Sequence, residues 1–415
     1  MALGAGSLPV VLLLLIAAAL VLVFANRALV FEIRSAANVV RASLALEAAR
    51  AGIDWGTAAL QTHPTVNAAC QPDAAASAAF IDTVLPVDLA DPQGRRRATS
   101  AAPGCVFQPG SGWQCQCPVA GRAALAPPAA SDAPAPAFLL HFVDAGGPGQ
   151  AWLHSDGCSS ADAPCGPGIT PSDANRRISV LLGLLAALPR PPYATVNALG
   201  PVQAEGDVHI SHDAEAPGKT VASSSVITTD ANVRLIGAPG QPGATTTVSL
   251  DPRGLQPDGT LLAPERWFAA HFALAGAAYK TLAHVHVLGC GTSCTSSDVR
   301  TALDAGHRTL WADGNLLLDT ADTYGQPADP VLLIAQGTLQ ITAALTLNGA
   351  AHAGTIDWQV SGASPGALQG TLNSASTLHL AGPLRLHRDE RVIARLQHAQ
   401  GTWAIAPGSW TDVAD

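Results

Sequence analysis

The chain has 415 residues, a net charge of −9, 48% hydrophobic residues and only 13% charged ones. This composition excludes a wholly disordered protein, which would be poor in apolar residues and rich in charge. The negative balance leaves no basic field for a phosphate backbone, so we expect no nucleic-acid partner. The length allows two or three domains of about 100–200 residues each.

The first predicted element is an apolar segment at residues 8–25, which read LPVVLLLLIAAALVLVFA. About 18 such residues span about 27 Å as a helix, close to the hydrocarbon thickness of a bilayer. A cleaved signal peptide, a signal anchor and a pilin-type anchor all begin with such a run, but a signal peptide also needs a basic N-terminal region, which is absent here. We therefore predict a membrane anchor through Leu8, Val11, Leu15, Leu20 and Phe24.

Residues 27–62 continue the same helix, because no proline interrupts them and Ala, Leu, Arg and Glu dominate. Apolar residues recur every three or four positions, which is typical of one helix face. We predict a single helix over residues 9–62, about 80 Å long, whose second half carries a domain. A signal anchor followed by a helical stalk is the alternative. The predicted stripe comprises Val30, Ile33, Ala37, Val40, Leu44, Ala48, Ala51, Trp55 and Ala59.

A short motif follows the apolar run: Glu32, the stretch AAN at 36–38, and EAARAG at 47–52. With that run, it resembles the N-terminal region of PilX-type minor pilins, which take part in type IV pilus assembly. The resemblance covers about the first sixty residues. It implies processing by a prepilin peptidase, with Gly4 and Gly6 as the candidate cleavage glycines.

The middle of the chain is predicted to be β-rich. Residues 64–136 lack a helical period, and better strands follow at 138–143, 151–154 and 177–182. Their order resembles the three-stranded meander of pilin globular domains. Such a sheet has one apolar face to cover, and the amphipathic half of the long helix would cover it.

An even number of cysteines behind an export-type segment predicts disulfides. Cys158 with Cys165 and Cys290 with Cys294 enclose short loops that would close locally, while the pairing of the other four stays open. Two zinc half-sites are the alternative, but partners at zinc-finger spacing are missing, so we expect no metal. The eight disulfide candidates are Cys70, Cys105, Cys115, Cys117, Cys158, Cys165, Cys290 and Cys294.

The C-terminal half repeats short strands separated by Gly, Asn and Asp turns, over 195–250 and again after about residue 311. This pattern is typical of a β-solenoid, and a β-sandwich is the alternative. Residues 252–310 are predicted to form a partly helical insertion. The expected fold class is thus α+β, with a long helix on an antiparallel pilin-like sheet, followed by a β-rich distal domain. The expected domains are 1–63, 64–194 and 195–415.

We expect no enzyme and no cofactor. The strands at 331–334 and 338–347 carry no carboxylate, which argues against a glycan-cleaving β-helix. Together with the resemblance, this favours a minor pilin in the inner membrane with a periplasmic or extracellular head. It would prime a pilus or sit at its tip, contact other pilin subunits, and display the head to a surface or glycan target. The alternatives are a membrane-anchored β-solenoid adhesin and a secreted polysaccharide-acting enzyme.

Overall fold

The structure is a computed structural model that describes residues 7–62, 64–91, 93–118, 120–126, 135–160, 165, 174–213, 219–237, 254–256 and 259–413. Its helices are α1 Ser7–Ala59, α2 Phe80–Val84, α3 Pro264–Phe272, α4 Gly276–Tyr279, α5 Ser296–Asp304 and α6 Glu390–His398.

Seven strands form an antiparallel sheet: β1 Gly104–Gln108, β2 Gly112–Gln116, β3 Ala137–Asp144, β4 Gln150–Cys158, β5 Asn175–Ala186, β22 Gly401–Ile405 and β23 Thr411–Val413. Sixteen strands form a second sheet: β6 Val196–Ala198, β7 Val202–Glu205, β8 Val208–His212, β9 Val221–Ser223, β10 Ile227–Thr229, β11 Arg234–Ile236, β12 Val285–Val287, β13 Ser293–Thr295, β14 Thr309–Ala312, β15 Asn315–Leu318, β16 Thr323–Tyr324, β17 Val331–Ile341, β18 Thr346–Gln359, β19 Gly366–Ser374, β20 Leu378–Ala381 and β21 Leu384–Arg388.

The predicted long helix is confirmed, since α1 runs unbroken for 53 residues. Its contact with the sheet is shorter than predicted. Val30, Ile33 and Val40 belong to the predicted stripe but are exposed, and burial begins only at Ala45. The prediction of one continuous sheet-facing stripe was therefore wrong, because the sheet covers α1 only from about Ala45 onward and leaves Val30, Ile33 and Val40 uncovered.

The antiparallel sheet has the strand order β2-β1-β3-β4-β5-β22, and β23 also pairs with β5. The predicted meander is present as β3, β4 and β5, which pair in sequence order. β22 and β23 follow the whole distal region in sequence, yet they return to β5. The structure therefore differs from the predicted distal domain 195–415, because residues 401–413 complete the antiparallel sheet.

Every pairing among β6–β21 is parallel, and we call these strands with α3–α6 the parallel unit. Its strands stack in three ladders, in which paired residues within the C-terminal part lie 17 to 24 positions apart in sequence. Buried apolar residues form an inward column along each ladder, and these columns make the core of the unit. One column comprises Leu316, Leu339, Ile356, Leu378, Val202 and Ile227.

The stacking order does not follow the sequence. The ladders start at β12 and β13 and proceed to β21, and only then continue with β6–β8 and β9–β11. Leu384 of β21 thus pairs with Val208 of β8, although 176 positions separate them. The predicted insertion at 252–310 contains α3, α4 and α5, together with β12 and β13, the strands that begin the stack. It is therefore part of the parallel unit.

Candidate functional site

The N-terminal half of α1 is an exposed apolar rod. The predicted anchor residues Val11, Leu15, Leu20 and Phe24 are all exposed, Phe24 to 68%. The backbone of Leu8 lies in the helix, its side chain lies outside the described residues, and so do Gly4 and Gly6. By length and composition this helix suffices to cross a membrane.

Apolar exposure continues beyond the predicted membrane segment. Leu29, Ile33, Val39 and Val40 are between 57% and 67% exposed. These side chains would stand in water if the helix simply linked a bilayer to the head. A contiguous exposed apolar surface of this kind marks a contact with a membrane or another protein.

The C-terminal half of α1 is seated on β3, β4 and β5. Small residues make the close approach possible. A side chain at Gly157 of β4 would meet the carbonyl oxygen of Ala45 and the amide nitrogen of Ala49 in α1. On the helix side, a Cβ at Gly56 would lie 2.7 Å from Leu140 Cδ1. The neighbours of Gly157 are backbone atoms, so glycine is required on β4, whereas the neighbour of Gly56 is the tip of a side chain.

Aromatic rings surround this seat. Trp55 of α1 packs edge-on against Phe80, with 5.3 Å between ring centroids, and lies 5.9 Å from Phe138 of β3. The ring centroid of Trp113 on β2 lies 4.9 Å from that of Phe138. Edge-to-face contacts of this kind stabilise a core by about 0.5–1.5 kcal/mol beyond area burial. Just after α1, the side-chain amide of Gln61 donates to the carbonyl of Trp403 on β22, so β22 helps to hold the helix.

Disulfides link the segments around the seat. Three of the four lie in the seven-stranded antiparallel sheet and the segments packed on it, which we call the antiparallel unit. Cys105–Cys115 joins β1 to β2, Cys70–Cys117 links the segment after α1 to the residue that follows β2, and Cys158–Cys165 links the end of β4 to residue 165. The fourth, Cys290–Cys294, connects the turn after β12 to β13. The pairing that the sequence left open is thus Cys70 with Cys117 and Cys105 with Cys115.

On the sheet face opposite α1, Asp156 accepts two hydrogen bonds from Arg177, at 2.6 and 2.9 Å, and His141 Nε2 lies 3.4 Å from it. Burial raises the pKa of Asp156, but the neighbouring His141 and the hydrogen bonds from Arg177 outweigh it, so the pKa lies below its ordinary value. Burial and the charge of Arg177 lower the pKa of His154. The face thus holds a fixed ion pair beside a neutral imidazole.

A second polar cluster lies on the outer surface of the parallel unit. His379 of β20 contacts Asp357 Oδ1 at 3.0 Å and Glu205 Oε1 at 3.3 Å. Both carboxylates stand on strands, Glu205 on β7 and Asp357 on β18. Sequence analysis missed the cluster because Glu205 and His379 are 174 positions apart. Among the described residues, no group of three or more His, Cys, Asp or Glu side chains is arranged to hold a metal ion.

A cavity of about 830 Å³ lies where the two units meet. Its polar lining includes Arg96 and Asp82 from the antiparallel unit and Arg308 and Asp329 from the parallel one. These side chains already pair with each other, Arg96 with Asp82 at 2.8 Å and Arg308 with Asp329 at 2.5 Å. The cavity therefore lies between the two units, and two further carboxylates, Asp73 and Asp304, also line it.

No protein-family model matches the chain, and no curated protein matches it significantly. Among solved structures, the chain is similar to the crystal structure of the competence-associated pilin ComZ from Thermus thermophilus, at 11% sequence identity and a TM-score of 0.26. That alignment covers 91% of this chain and 98% of the other.

Proposed function

We propose that the protein is a pilin-like subunit of a type IV pilus, of the minor-pilin kind with a PilX-like N-terminal region. One observation carries the proposal: α1 is a single helix whose first part is apolar and exposed and whose last part is seated on an antiparallel sheet. Before assembly, residues 8–25 would hold the subunit in the inner membrane as a single span, with the head in the periplasm.

The length of the exposed part supports assembly rather than anchoring alone. From Val10 to the first buried position, Ala45, the helix rises about 52 Å, whereas the hydrocarbon core is about 30 Å thick. A membrane would cover little more than half of it. Neighbouring helices in a filament would cover the rest, including Ile33 and Val40. A plain stalk has no physical reason to expose apolar residues there.

We further propose that the parallel unit is a β-solenoid head that the pilus displays at its tip for adhesion, and that it has no enzymatic activity. Its outer surface carries polar side chains on successive ladder strands, such as Asp357, His379 and Glu205. Ladder strands lie about 4.8 Å apart, so such side chains form a regular polar surface that suits binding to a surface or glycan.

The N-terminal mass of the protein purified from its own host tests this function. A start at Ser7 or Ala5, N-methylated and recovered with sheared pili, is the expected result. Loss of that processing in a host without prepilin peptidase is the matched control. A start at Asn26 would mean a released exported protein and refute the proposal, and an intact N-terminus absent from pili would favour the membrane-anchored adhesin.

A further inference from the structure

The cavity between the two units has the size of a small-molecule site. Its volume is about 830 Å³. Ligand pockets usually measure about 300–1,000 Å³ and form preferentially where two domains meet. Segments of both units line this cavity, and apolar side chains such as Leu60, Ile81 and Leu303 form part of its walls. A ligand bound here would therefore contact both units at once.

The charged side chains leave the cavity negative. Beyond the two ion pairs already described, its lining adds Asp73 and Asp304 but no further arginine or lysine from the described part of the chain. Asp73 forms no salt bridge with any residue that the structure describes. The guanidinium of Arg300 lies 4.0 Å from Asp304, but its Nε donates to Asp322 at 2.9 Å. The lining therefore has more carboxylates than cations to balance them.

The C-termini of α1, α5 and α6 add to this negative charge. Leu60, Ala305 and Ala399 directly follow these helices, and all three residues line the cavity. A helix C-terminus carries a partial negative charge. Arg308 donates to a carbonyl of α5 at 3.0 Å, and Arg96 donates to the carbonyl of Ala399 at 2.7 Å. Each arginine thus serves both a helix end and an aspartate, so the cavity still favours a positively charged ligand.

A buried hydroxyl faces the cavity without a partner. Thr309 of β14 is 2% exposed and lines the cavity. The next residue, Leu310, packs in the core of the parallel unit, so the alternation of the strand directs Thr309 outward. Its hydroxyl forms no hydrogen bond with any described residue. Gln400 also lines the cavity, and its buried Oε1 likewise lacks a partner there. Because an unpaired buried polar atom is costly, these two groups point to a ligand that supplies hydrogen bonds.

We propose that this cavity binds a small organic cation with primary ammonium groups, either a polyamine or an amino sugar. An ammonium group has donors and no acceptor, which suits a site where carboxylates, helix carbonyls and the Thr309 hydroxyl all accept. Asp304 is 68% exposed, so the ligand can enter from solvent. This inference goes beyond the proposed function and does not depend on it, because it rests on the cavity alone.

Isothermal titration calorimetry of the full-length protein in uncharged detergent tests the ligand class. The probes are spermidine and glucosamine, and their neutral counterparts are 1,4-butanediol and glucose. We expect at least one amine to bind and neither neutral compound to do so. The tighter amine identifies the source, a polyamine or an amino sugar. Binding of neither amine, or equally tight binding of a neutral counterpart, would overturn the inference.

Three variants distinguish a site from general attraction to a chain of net charge −9. Asp73→Asn retains an oxygen for the amide of Ala75 but removes the charge, and should weaken amine binding about tenfold. Thr309→Val keeps the net charge and should weaken it about three- to tenfold, while the ligand-free protein unfolds at the same or a higher temperature. Asp54→Asn, an exposed position on α1 outside the cavity, is the matched control and should change nothing. Unchanged binding in Asp73→Asn and Thr309→Val, or an equal loss in Asp54→Asn, would refute the site.

Discussion

The seat of α1 on the sheet depends on Gly157, and Gly157→Ala should release it. Glycine at this position lets β4 approach the backbone of α1. An added Cβ would press on the carbonyl oxygen of Ala45 and the amide of Ala49, and would lie 2.8 Å from the Cβ of Ala49. Backbone atoms cannot rotate away from the contact as the end of a side chain can, so the helix itself must move.

Overpacking of this kind costs about 1–3 kcal/mol. A Gly→Ala change also restricts the unfolded chain, which returns about 0.4–1 kcal/mol when the site is unstrained. We therefore expect Gly157→Ala to lower the free energy of unfolding of the antiparallel unit by about 1–2 kcal/mol. The matched control is Gly183→Ala on the adjacent strand β5, where an added Cβ meets no atom within 4 Å.

Hydrogen exchange of the full-length protein in detergent measures the effect where it should occur. Amides of residues 45–60 should exchange about 5- to 30-fold faster in Gly157→Ala, which corresponds to that loss at 1.4 kcal/mol per factor of ten. Gly183→Ala should leave them unchanged or slightly slower. If the two variants behave alike, α1 does not lie against β4 as described, and the argument for a glycine-dependent seat fails.

Three other predictions concern the rest of the head. Replacing Cys70 and Cys117 by serine opens a loop with a sequence separation of 47 and should cost about 4 kcal/mol by the chain-entropy relation, measured by urea unfolding under oxidising conditions. Burial, with His271 nearby, lowers the pKa of His352 to about 3. Because the pKa of His352 is depressed in the folded protein, its contribution to the free energy of unfolding should be fully present above about pH 6.5. It should fall by about 1.4 kcal/mol per pH unit as the pH drops toward 3. His352→Leu should remove that part of the slope in unfolding titrations at pH 7, 5.5 and 4.5, and an unchanged slope would contradict the assignment. Tyr279→Phe removes a buried hydroxyl that donates a 2.6 Å hydrogen bond to the carbonyl of Ala187 and lies 3.2 Å from His284 Nε2. It should cost about 1 kcal/mol in thermal unfolding, and no loss would mean that these two contacts contribute nothing net.

Local features of the fold could be predicted from the sequence. The span of α1 follows from an uninterrupted run of helix formers, and the strands of the distal half follow from their glycine and asparagine turns. The location of the seat could not be predicted, because the apolar period runs through the whole helix. What selects residues 45–60 is the complementary Gly157, which is about 100 positions away.

Non-local pairings escaped prediction for the same reason. Cys105 and Cys115 pair because β1 and β2 place them directly opposite each other, a register that cysteine spacing alone does not fix. The cluster of Glu205, His379 and Asp357 exists because β7 stacks on β20 rather than at the start of the ladders. A sequence pattern identifies such strands, but their order depends on contacts between distant parts of the chain.

The parallel unit is inserted between two neighbouring strands of the antiparallel sheet, and this determines how firmly the two units are held together. The chain leaves the antiparallel sheet after β5 and returns at β22, where Gly401 pairs with Ala186. The connection into the parallel unit and the connection out of it therefore lie side by side, at the end of β5 and the start of β22. If nothing else held the parallel unit, it could rotate about this one point. Contacts beside that point oppose rotation: His284 Nδ1 lies 2.8 Å from Thr402 Oγ1, and Arg96 donates to the carbonyl of Ala399 at 2.7 Å. Because these contacts lie beside the strand pair, they hold the parallel unit to the antiparallel sheet on which α1 is seated.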